Sequence, residues 1–337
     1  MLCLRVYIFS LFFNFLYSQT YQDYLIKGKE YYESDSLQKA WELFNKAIQL
    51  DPNRSEAWAL RSSVNFLLGD NKNALADADK TLKLDPLSSI AYFSKANVFL
   101  TTKSFSKALD HYVTVLELDS TFVDAYFNLA WTYQILEMYD SALFFIDKCL
   151  QLEPKYEEAW ILKGTIHHDN EEYEKALKQF DEALNINPLN IEAYHEKAIT
   201  LTQLQRYLEA LENYNKAIAL NPNDPEIYDQ RGTVYIQLQN WQAAYDDYTK
   251  AIQLNSHYYL AYVNRSFVLL KMNKHLEALN DCKKAIMLNP NDGMIFNTRG
   301  VIYYEMGKMK EACSEWKKAI SLKETIYAPK NYQNYCK

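Results

Sequence analysis

The stretch YLEALENYNKAIALNPNDPEIY, residues 207–228, has close copies elsewhere in the same chain. One copy, YEKALKQFDEALNINPLNIEAY, covers residues 173–194, and another, HLEALNDCKKAIMLNPNDGMIF, covers residues 275–296. The first copy starts 34 residues before this stretch, and the other starts two such intervals after it. A fixed period of this length indicates a protein built from stacked structural repeats.

A 34-residue frame runs along almost the whole chain without insertion or deletion. Its nine copies begin at Tyr21, Ser55, Ser89, Val123, Glu157, Ile191, Pro225, Tyr259 and Gly293, and the ninth ends at Ile326. Position 20 is always alanine: Ala40, Ala74, Ala108, Ala142, Ala176, Ala210, Ala244, Ala278 and Ala312. Position 8 is always small: Gly28, Ser62, Ala96, Ala130, Gly164, Ala198, Gly232, Ser266 and Gly300. Position 4 is always aromatic: Tyr24, Trp58, Tyr92, Tyr126, Trp160, Tyr194, Tyr228, Tyr262 and Phe296.

Each copy contains two stretches of helical periodicity, about 12 to 14 residues each, joined by a short turn. The small residues at positions 8 and 20 are expected where the two helices cross closely, with the aromatic at position 4 filling the space beside them. Position 32 is expected to end the second helix, since it is proline in six copies: Pro52, Pro86, Pro154, Pro188, Pro222 and Pro290. The sequence therefore predicts an all-α solenoid of helix-turn-helix repeats, in which stacking buries the apolar face of each pair.

The pattern resembles the tetratricopeptide repeat, whose signature adds an aromatic residue at position 24 and alanine at position 27. Position 24 is aromatic in six copies: Phe44, Tyr112, Phe180, Tyr214, Tyr248 and Trp316. Position 27 is alanine in six copies, with Thr81, Val115 and Cys149 departing. The resemblance covers residues 21–326 and implies a right-handed superhelix with a concave groove.

The first residues, MLCLRVYIFSLFFNFLYSQT, differ from the rest of the chain. Arg5 precedes an apolar run from Val6 to Tyr17, which is too short to span a bilayer comfortably. This pattern predicts a secretory signal at residues 1–18, cut after Ser18; a buried first helix is the alternative. The repeat array would then cover residues 19–326, followed by a capping segment at residues 327–337. No transmembrane span is expected in the mature chain.

Several sequence features suggest a location for the mature chain. The Ser-Gln end of the signal, the Asn/Tyr/Lys-rich composition and the EACSEWKKA…NYC ending resemble exported repeat proteins of Bacteroidetes-type bacteria. That resemblance implies an exported protein in the periplasm or associated with the cell envelope, with secretion as the alternative.

The composition and motifs argue against several functional classes. The formal net charge of −7 argues against a nucleic-acid binder, which needs a basic face. The sequence lacks a glycine-rich phosphate loop, metal-ligand spacing and a nucleophile motif, so we expect no enzyme activity and no cofactor. A metal-binding or catalytic site at His168, Asp169 and His195 remains an alternative.

The resemblance implies that positions 2, 5, 9, 12 and 13 of each first helix line the groove. The partner-binding residues expected there are Phe66, Leu67, Phe93, Asn97, Leu100, Phe127, Trp131, Gln134, Ile135, His168 and Thr202. Their apolar and aromatic character suits a peptide or protein segment, with polar groups fixing its register. Two alternatives stay open: neighbouring repeats bury these positions, or the chain is a structural subunit of an envelope assembly that uses convex faces or array ends.

Position 7 is basic in eight copies: Lys27, Arg61, Lys95, Lys163, Lys197, Arg231, Arg265 and Arg299. We expect the stems to pack between repeats and the charged groups to pair with nearby acids such as Asp77, Asp247 and Asp281. The alternative is a ladder of cations for an anionic ligand.

The cysteines divide into two kinds. Cys149 and Cys282 occupy inward positions, where they serve as small apolar fillers. The tail IYAPKNYQNYCK, residues 326–337, can form a short helix over the last repeat, which would bring Cys336 towards Cys313. In an oxidising compartment these two thiols could form a disulfide, with two free thiols as the alternative.

Overall fold

The structure, a computed structural model, describes residues 20–336 of the chain. These residues form α-helices joined by short turns, and none of them lies in a β-strand. The prediction of an all-α fold is confirmed. The predicted secretory signal, residues 1–18, lies outside the described residues. None of the helices described is both long enough and apolar enough to cross a membrane.

First and second helices alternate along the described chain. The first helices are α1 (20–33), α3 (Ser55–Leu67), α5 (Ser89–Thr101), α7 (Val123–Ile135), α9 (Glu157–Asp169), α11 (Ile191–Gln203), α13 (Pro225–Gln237), α15 (Tyr259–Lys271) and α17 (Gly293–Glu305). The second helices are α2 (Leu37–Leu50), α4 (Asn71–Leu84), α6 (Phe105–Leu118), α8 (Tyr139–Leu152), α10 (Tyr173–Ile186), α12 (Tyr207–Leu220), α14 (Trp241–Leu254), α16 (His275–Leu288) and α18 (Met309–Ser321). The last helix is α19 (Ala328–Tyr335).

The described part of the chain divides into two compact units, residues 20–162 and 163–336. In the first unit α3 packs on α4, α5 on α6 and α7 on α8, and each pair also packs on the next. In the second unit α11 packs on α12, α13 on α14, α15 on α16 and α17 on α18, again with contacts between successive pairs. Each unit is therefore a stack of helical hairpins.

Alanine and glycine allow the two helices of a hairpin to approach closely. All nine alanines at position 20 are fully buried: Ala40, Ala74, Ala108, Ala142, Ala176, Ala210, Ala244, Ala278 and Ala312. A Cβ atom added to Gly232 would lie 2.9 Å from the ring of Tyr248, and one added to Gly300 would lie 2.6 Å from the ring of Trp316. The aromatic ring at position 24 therefore requires a small residue at position 8.

The turn inside each hairpin places one residue in the left-handed backbone region. That residue is always at frame position 15, with φ between 55° and 79°: Asp35, Gly69, Lys103, Glu137, Glu171, Gln205, Gln239, Asn273 and Gly307. At Gln205 the next amide, Arg206 N, donates to Leu201 O at 2.9 Å and so satisfies a carbonyl at the end of α11. Seven of the nine turns use a non-glycine residue, so glycine content alone does not reveal them.

The aromatic residue at position 4 also links neighbouring repeats through its polar end. Trp58 Nε1 donates to Pro52 O at 3.0 Å, and Trp160 Nε1 donates to Pro154 O at 2.9 Å. Tyr194 and Tyr228 make the same contact through their hydroxyl groups. The proline that ends one repeat thus accepts a hydrogen bond from the ring that begins the next.

A short helix covers the last repeat. Ala328 of α19 is fully buried, and Tyr332 packs against the cluster around Phe296 and Trp316. Cys313 and Cys336 are joined by a disulfide with a Cα–Cα distance of 5.6 Å. Cys149 and Cys282 are free thiols that are fully buried.

The carboxylate of Glu324 holds the turn that leads into α19. It accepts backbone hydrogen bonds from Ile326, Tyr327 and Ala328. Burial raises the pKa of Glu324, but these three donors outweigh it and hold the pKa below its usual value. The turn therefore stabilises the ionised carboxylate.

Candidate functional site

The arginines at position 7 are paired with acids inside the fold. Arg231 Nε and Nη2 donate to the two carboxylate oxygens of Asp247 at 2.8 and 2.6 Å. Arg265 forms the same fork with Asp281 at 2.8 and 2.9 Å, and Arg61 forms it with Asp77. The predicted pairing of these arginines with acids is confirmed, so their charges are already neutralised by the protein.

A cavity of about 290 Å³ opens in the first unit, on the side formed by the first helices. Its lining comes from α1, α3, α5, the residue before α7 and the first turn of α7. The residues are Tyr32, Leu60, Ser63, Phe66, Leu67, Ile90, Phe93, Asn97, Phe122 and Asp124. Six of the ten side chains are apolar, and this volume approaches the lower end of the range for ligand pockets.

Four of the predicted partner-binding residues line this cavity: Phe66, Leu67, Phe93 and Asn97. Phe93 is held by Phe122, with ring centroids 4.8 Å apart. Asn97 Oδ1 accepts from the Tyr112 hydroxyl at 2.6 Å and from Asn128 Nδ2 at 2.9 Å. No described residue accepts a hydrogen bond from Asn97 Nδ2, so this amide can donate to a ligand.

The other predicted residues of the first unit lie elsewhere. Leu100 is only 6% exposed and belongs to the core cluster, so it does not line the cavity. Trp131 and Ile135 are exposed on α7, and Phe127 stacks on Tyr156 with ring centroids 5.3 Å apart. Gln134 is half-buried on the same helix. These four α7 residues are not in the cavity lining.

In the second unit, His168 and Thr202 make contacts within the fold. His168 Nδ1 is 2.8 Å from Thr200 Oγ1, and its ring meets Tyr173 edge to face. Thr202 Oγ1 donates to Ala198 O at 2.8 Å. Among residues 20–336 there is no group of three His, Cys, Asp or Glu side chains placed to hold a metal ion.

Three buried or half-buried groups on first helices of the second unit have shifted pKa values. Burial raises the pKa of Glu196 to about 7, with a further contribution from Glu192, Asp169 and Glu226. Burial raises the pKa of Asp229 to about 6, although a hydrogen bond from Asn264 Nδ2 opposes the shift. Burial lowers the pKa of His195, whose Nε2 atom is buried without a hydrogen-bond partner among the described residues.

Six residues of the cavity lining were not among the predicted site residues. Tyr32, Ser63, Ile90 and Asp124 occupy frame positions 12, 9, 2 and 2, so the positional rule for the groove could have selected them. Leu60 and Phe122 lie at positions 6 and 34, outside that rule. Only the packing of successive hairpins brings these last two to the cavity.

Comparison with known families identifies the repeats. Profiles described as tetratricopeptide repeat or TPR repeat match residues 67–121, 111–144, 200–239, 225–258, 259–292 and 295–326. The chain contains tetratricopeptide repeats. A profile for anaphase-promoting complex, cyclosome, subunit 3, also matches residues 136–217 of the tetratricopeptide array.

Solved structures of other proteins align with this chain. The heterotetramer Cut9-Hcn1 of the APC/C aligns with a TM-score of 0.59 and 14% identity, over 93% of this chain and 76% of that one. MamA aligns with a TM-score of 0.44 and 25% identity over 48% of this chain and 94% of that one. YrrB, described as a TPR protein with an unusual peptide-binding site, aligns with a TM-score of 0.44 and 24% identity. The alignment covers 53% of this chain and 92% of that one. A search among curated proteins finds no match.

Proposed function

We propose that the chain is a non-enzymatic scaffold that binds a peptide or a segment of a partner protein in the cavity of its first unit. Proteins built from this repeat typically act as interaction scaffolds. The observation that carries the proposal is the apolar cavity of about 290 Å³ lined by Phe66, Leu67, Phe93 and Asn97. Its volume suits one or two side chains of an extended segment.

The walls of the cavity are held in place before any partner arrives. Tyr112 and Asn128 fix the orientation of Asn97, and Phe122 and Tyr112 pack against Phe93. A pre-formed site loses little side-chain freedom on binding, and this strengthens affinity. The free N–H groups of Asn97 would donate to a backbone carbonyl of the segment and fix its register.

We also propose that the mature chain works in an oxidising compartment after export. The apolar run between Val6 and Tyr17 supports this, as does the disulfide between Cys313 and Cys336. Disulfides persist in secreted and periplasmic proteins and are rare in reducing compartments. Mass spectrometry of the protein from its native cells tests the proposal: a chain that starts near Gln19 is expected, and one that retains residues 1–18 contradicts it.

Selection of peptides from a displayed random library tests the scaffold proposal. Selected peptides should lose about tenfold in affinity for Phe93→Ala, because a buried aromatic contact dominates small interfaces. The matched control is Phe144→Ala on α8, which removes an exposed ring outside the cavity lining. Equal affinity of the peptides for the native chain and for folded Phe93→Ala would overturn the proposal. A loss of affinity in Phe144→Ala but not in Phe93→Ala would also overturn it, and would place binding on the second helices.

A further inference from the structure

The cavity of the first unit has one source of charge. Among the described residues that line it, Asp124 is the one whose side chain is charged at neutral pH. Asp124 lies in the first turn of α7 and is exposed. The remaining polar groups of the lining are the neutral side chains of Tyr32, Ser63 and Asn97. A charged group of a bound segment would therefore interact mainly with this carboxylate.

The protein does not neutralise that carboxylate. No Lys, Arg or His of the described chain forms an ion pair with Asp124; the pairs of the first unit lie elsewhere. Its hydrogen-bond partner is the neutral hydroxyl of Tyr156, at 3.4 Å from Oδ1. Burial raises the pKa of Tyr32 and of Tyr156, and the negative charge of Asp124 adds to both shifts. Both tyrosines therefore lie in the negative field of Asp124.

An apolar surface lies beside this negative charge. Leu67 is 50% exposed and Ile90 is 36% exposed, although both are large aliphatic residues. Covering them with an apolar side chain would remove their surface from water, which favours binding. The cavity therefore offers two different contacts to one short segment.

We infer that the cavity takes a partner segment in which an aliphatic or aromatic side chain is adjacent to a lysine or arginine. The apolar side chain occupies the space between Leu67, Ile90 and Phe93, and the cation lies against the Asp124 carboxylate. Charge complementarity selects this occupant, since an acidic segment would meet an unpaired negative charge on a chain of net charge −7. The inference rests on the proposed function and names the chemistry of its partner.

An array of immobilised decapeptides tests this inference. Each peptide has a Gly-Ser background and a central pair whose first residue is Leu, Phe or Ser and whose second is Lys, Arg, Glu or Ser. The array is probed with the mature chain, residues 19–337. Leu-Lys, Leu-Arg, Phe-Lys and Phe-Arg should bind about three- to fivefold better than the Glu peptides, as an exposed ion pair predicts.

Reversing the charge of the protein provides the decisive comparison. Asp124→Lys should prefer the Glu peptides, and Asp124→Asn should lose the preference for either charge while retaining Leu and Phe over Ser. The matched control is Asp140→Lys, since Asp140 is an exposed acid in the first turn of α8. This control should keep the preference for Lys and Arg. Circular dichroism verifies the helical content of each variant.

The possible failures are distinguishable. If apolar peptides bind but Lys and Glu peptides bind equally well to the native chain, this inference is wrong and the proposed function stands. The same conclusion follows if Asp124→Lys keeps the preference of the native chain. If Leu and Phe peptides bind no better than Ser peptides, both the inference and the proposed apolar cavity site are wrong.

Discussion

Arg61 on α3 forms a forked ion pair with Asp77 on α4: Nε lies 2.8 Å from Oδ2 and Nη2 lies 2.8 Å from Oδ1. The third nitrogen, Nη1, donates to Asn45 Oδ1 on α2 at 2.6 Å. One guanidinium group thus connects both helices of its own hairpin to the second helix of the preceding one. In the second unit, Arg231 makes the same three contacts with Asp247 and Asn215.

Removing this guanidinium should strongly destabilise the first unit. Arg61→Met leaves the Asp77 carboxylate, which is 6% exposed, without a cation. We therefore expect the free energy of unfolding to fall by about 3 kcal/mol. Lys95→Met is the matched control because its partner Asp79 is 55% exposed, and its loss should be below about 1 kcal/mol. Urea unfolding followed by circular dichroism measures both. Equal losses in the two variants would contradict the structural role assigned to Arg61.

Glycine at the left-handed turn should stabilise the protein. Gln205 has φ of 59°, where a side chain costs about 1–2 kcal/mol. Gln205→Gly removes that strain but adds conformational entropy to the unfolded chain. We therefore expect the free energy of unfolding to rise by about 0.5 kcal/mol. Gln203→Gly, two residues earlier in α11, should instead cost up to about 1 kcal/mol. A loss in Gln205→Gly as large as that in Gln203→Gly would contradict the turn geometry.

The disulfide should stabilise the helix that covers the last repeat. Cys313 and Cys336 are 23 residues apart, and closing a loop of this length contributes about 3 kcal/mol by the chain-entropy model. In the double variant Cys313→Ser/Cys336→Ser, amide hydrogen exchange in α19 should be faster than in the native chain. The amides of α11 serve as the internal control. Thiol titration of the denatured, unreduced mature chain should find two free thiols, and four would refute the disulfide.

The second unit should lose stability as pH rises towards neutrality. Glu196 has a pKa of about 7 in the folded chain against 4.5 ordinarily, so the folded chain holds this proton more tightly. The penalty for ionising Glu196 is absent below about pH 4.5, grows between pH 4.5 and 7, and is full above pH 7. Glu196→Gln should therefore raise stability by about 3 kcal/mol at pH 8 and change it little at pH 4.

A neighbouring carboxylate provides the control for this pH effect. Glu182 is exposed on the neighbouring helix α10, so Glu182→Gln should have a small effect on urea unfolding at either pH. Other groups such as His195 titrate in the same way in the native and variant chains. Their contributions therefore cancel when the free energy of unfolding of the native chain is subtracted from that of the variant at the same pH. A Glu196→Gln effect that is the same at pH 4 and pH 8 would refute the assignment.

The sequence predicted the fold because the repeat makes each structural requirement recur. Nine alanines at one frame position indicated a close helix crossing, and the all-α fold and tetratricopeptide resemblance are confirmed. The pairing of Arg61 with Asp77 was also predicted, because basic residues recur at position 7 of the frame and acids such as Asp77 lie nearby. The export signal and the count of nine repeats stay predictions.

The features that were missed depend on three-dimensional contacts. Frame position 15 varies from Asp35 to Lys103 and Gly69, so its left-handed backbone has no residue-type signature. The bond from Trp58 to the Pro52 carbonyl depends on the angle between neighbouring hairpins. Leu100 occupies a position expected in the groove but is buried, since the packing of neighbouring hairpins decides which face of a first helix is covered.

Site-specific photo-crosslinking tests the central claim most directly. The photoreactive residue p-benzoylphenylalanine replaces Phe93 in the cavity or Phe144 on α8, and a peptide selected on the native chain is added to each. We predict a crosslinked product at position 93 and none at position 144. Crosslinking at position 144 without crosslinking at position 93 would contradict binding in the cavity formed by the first helices.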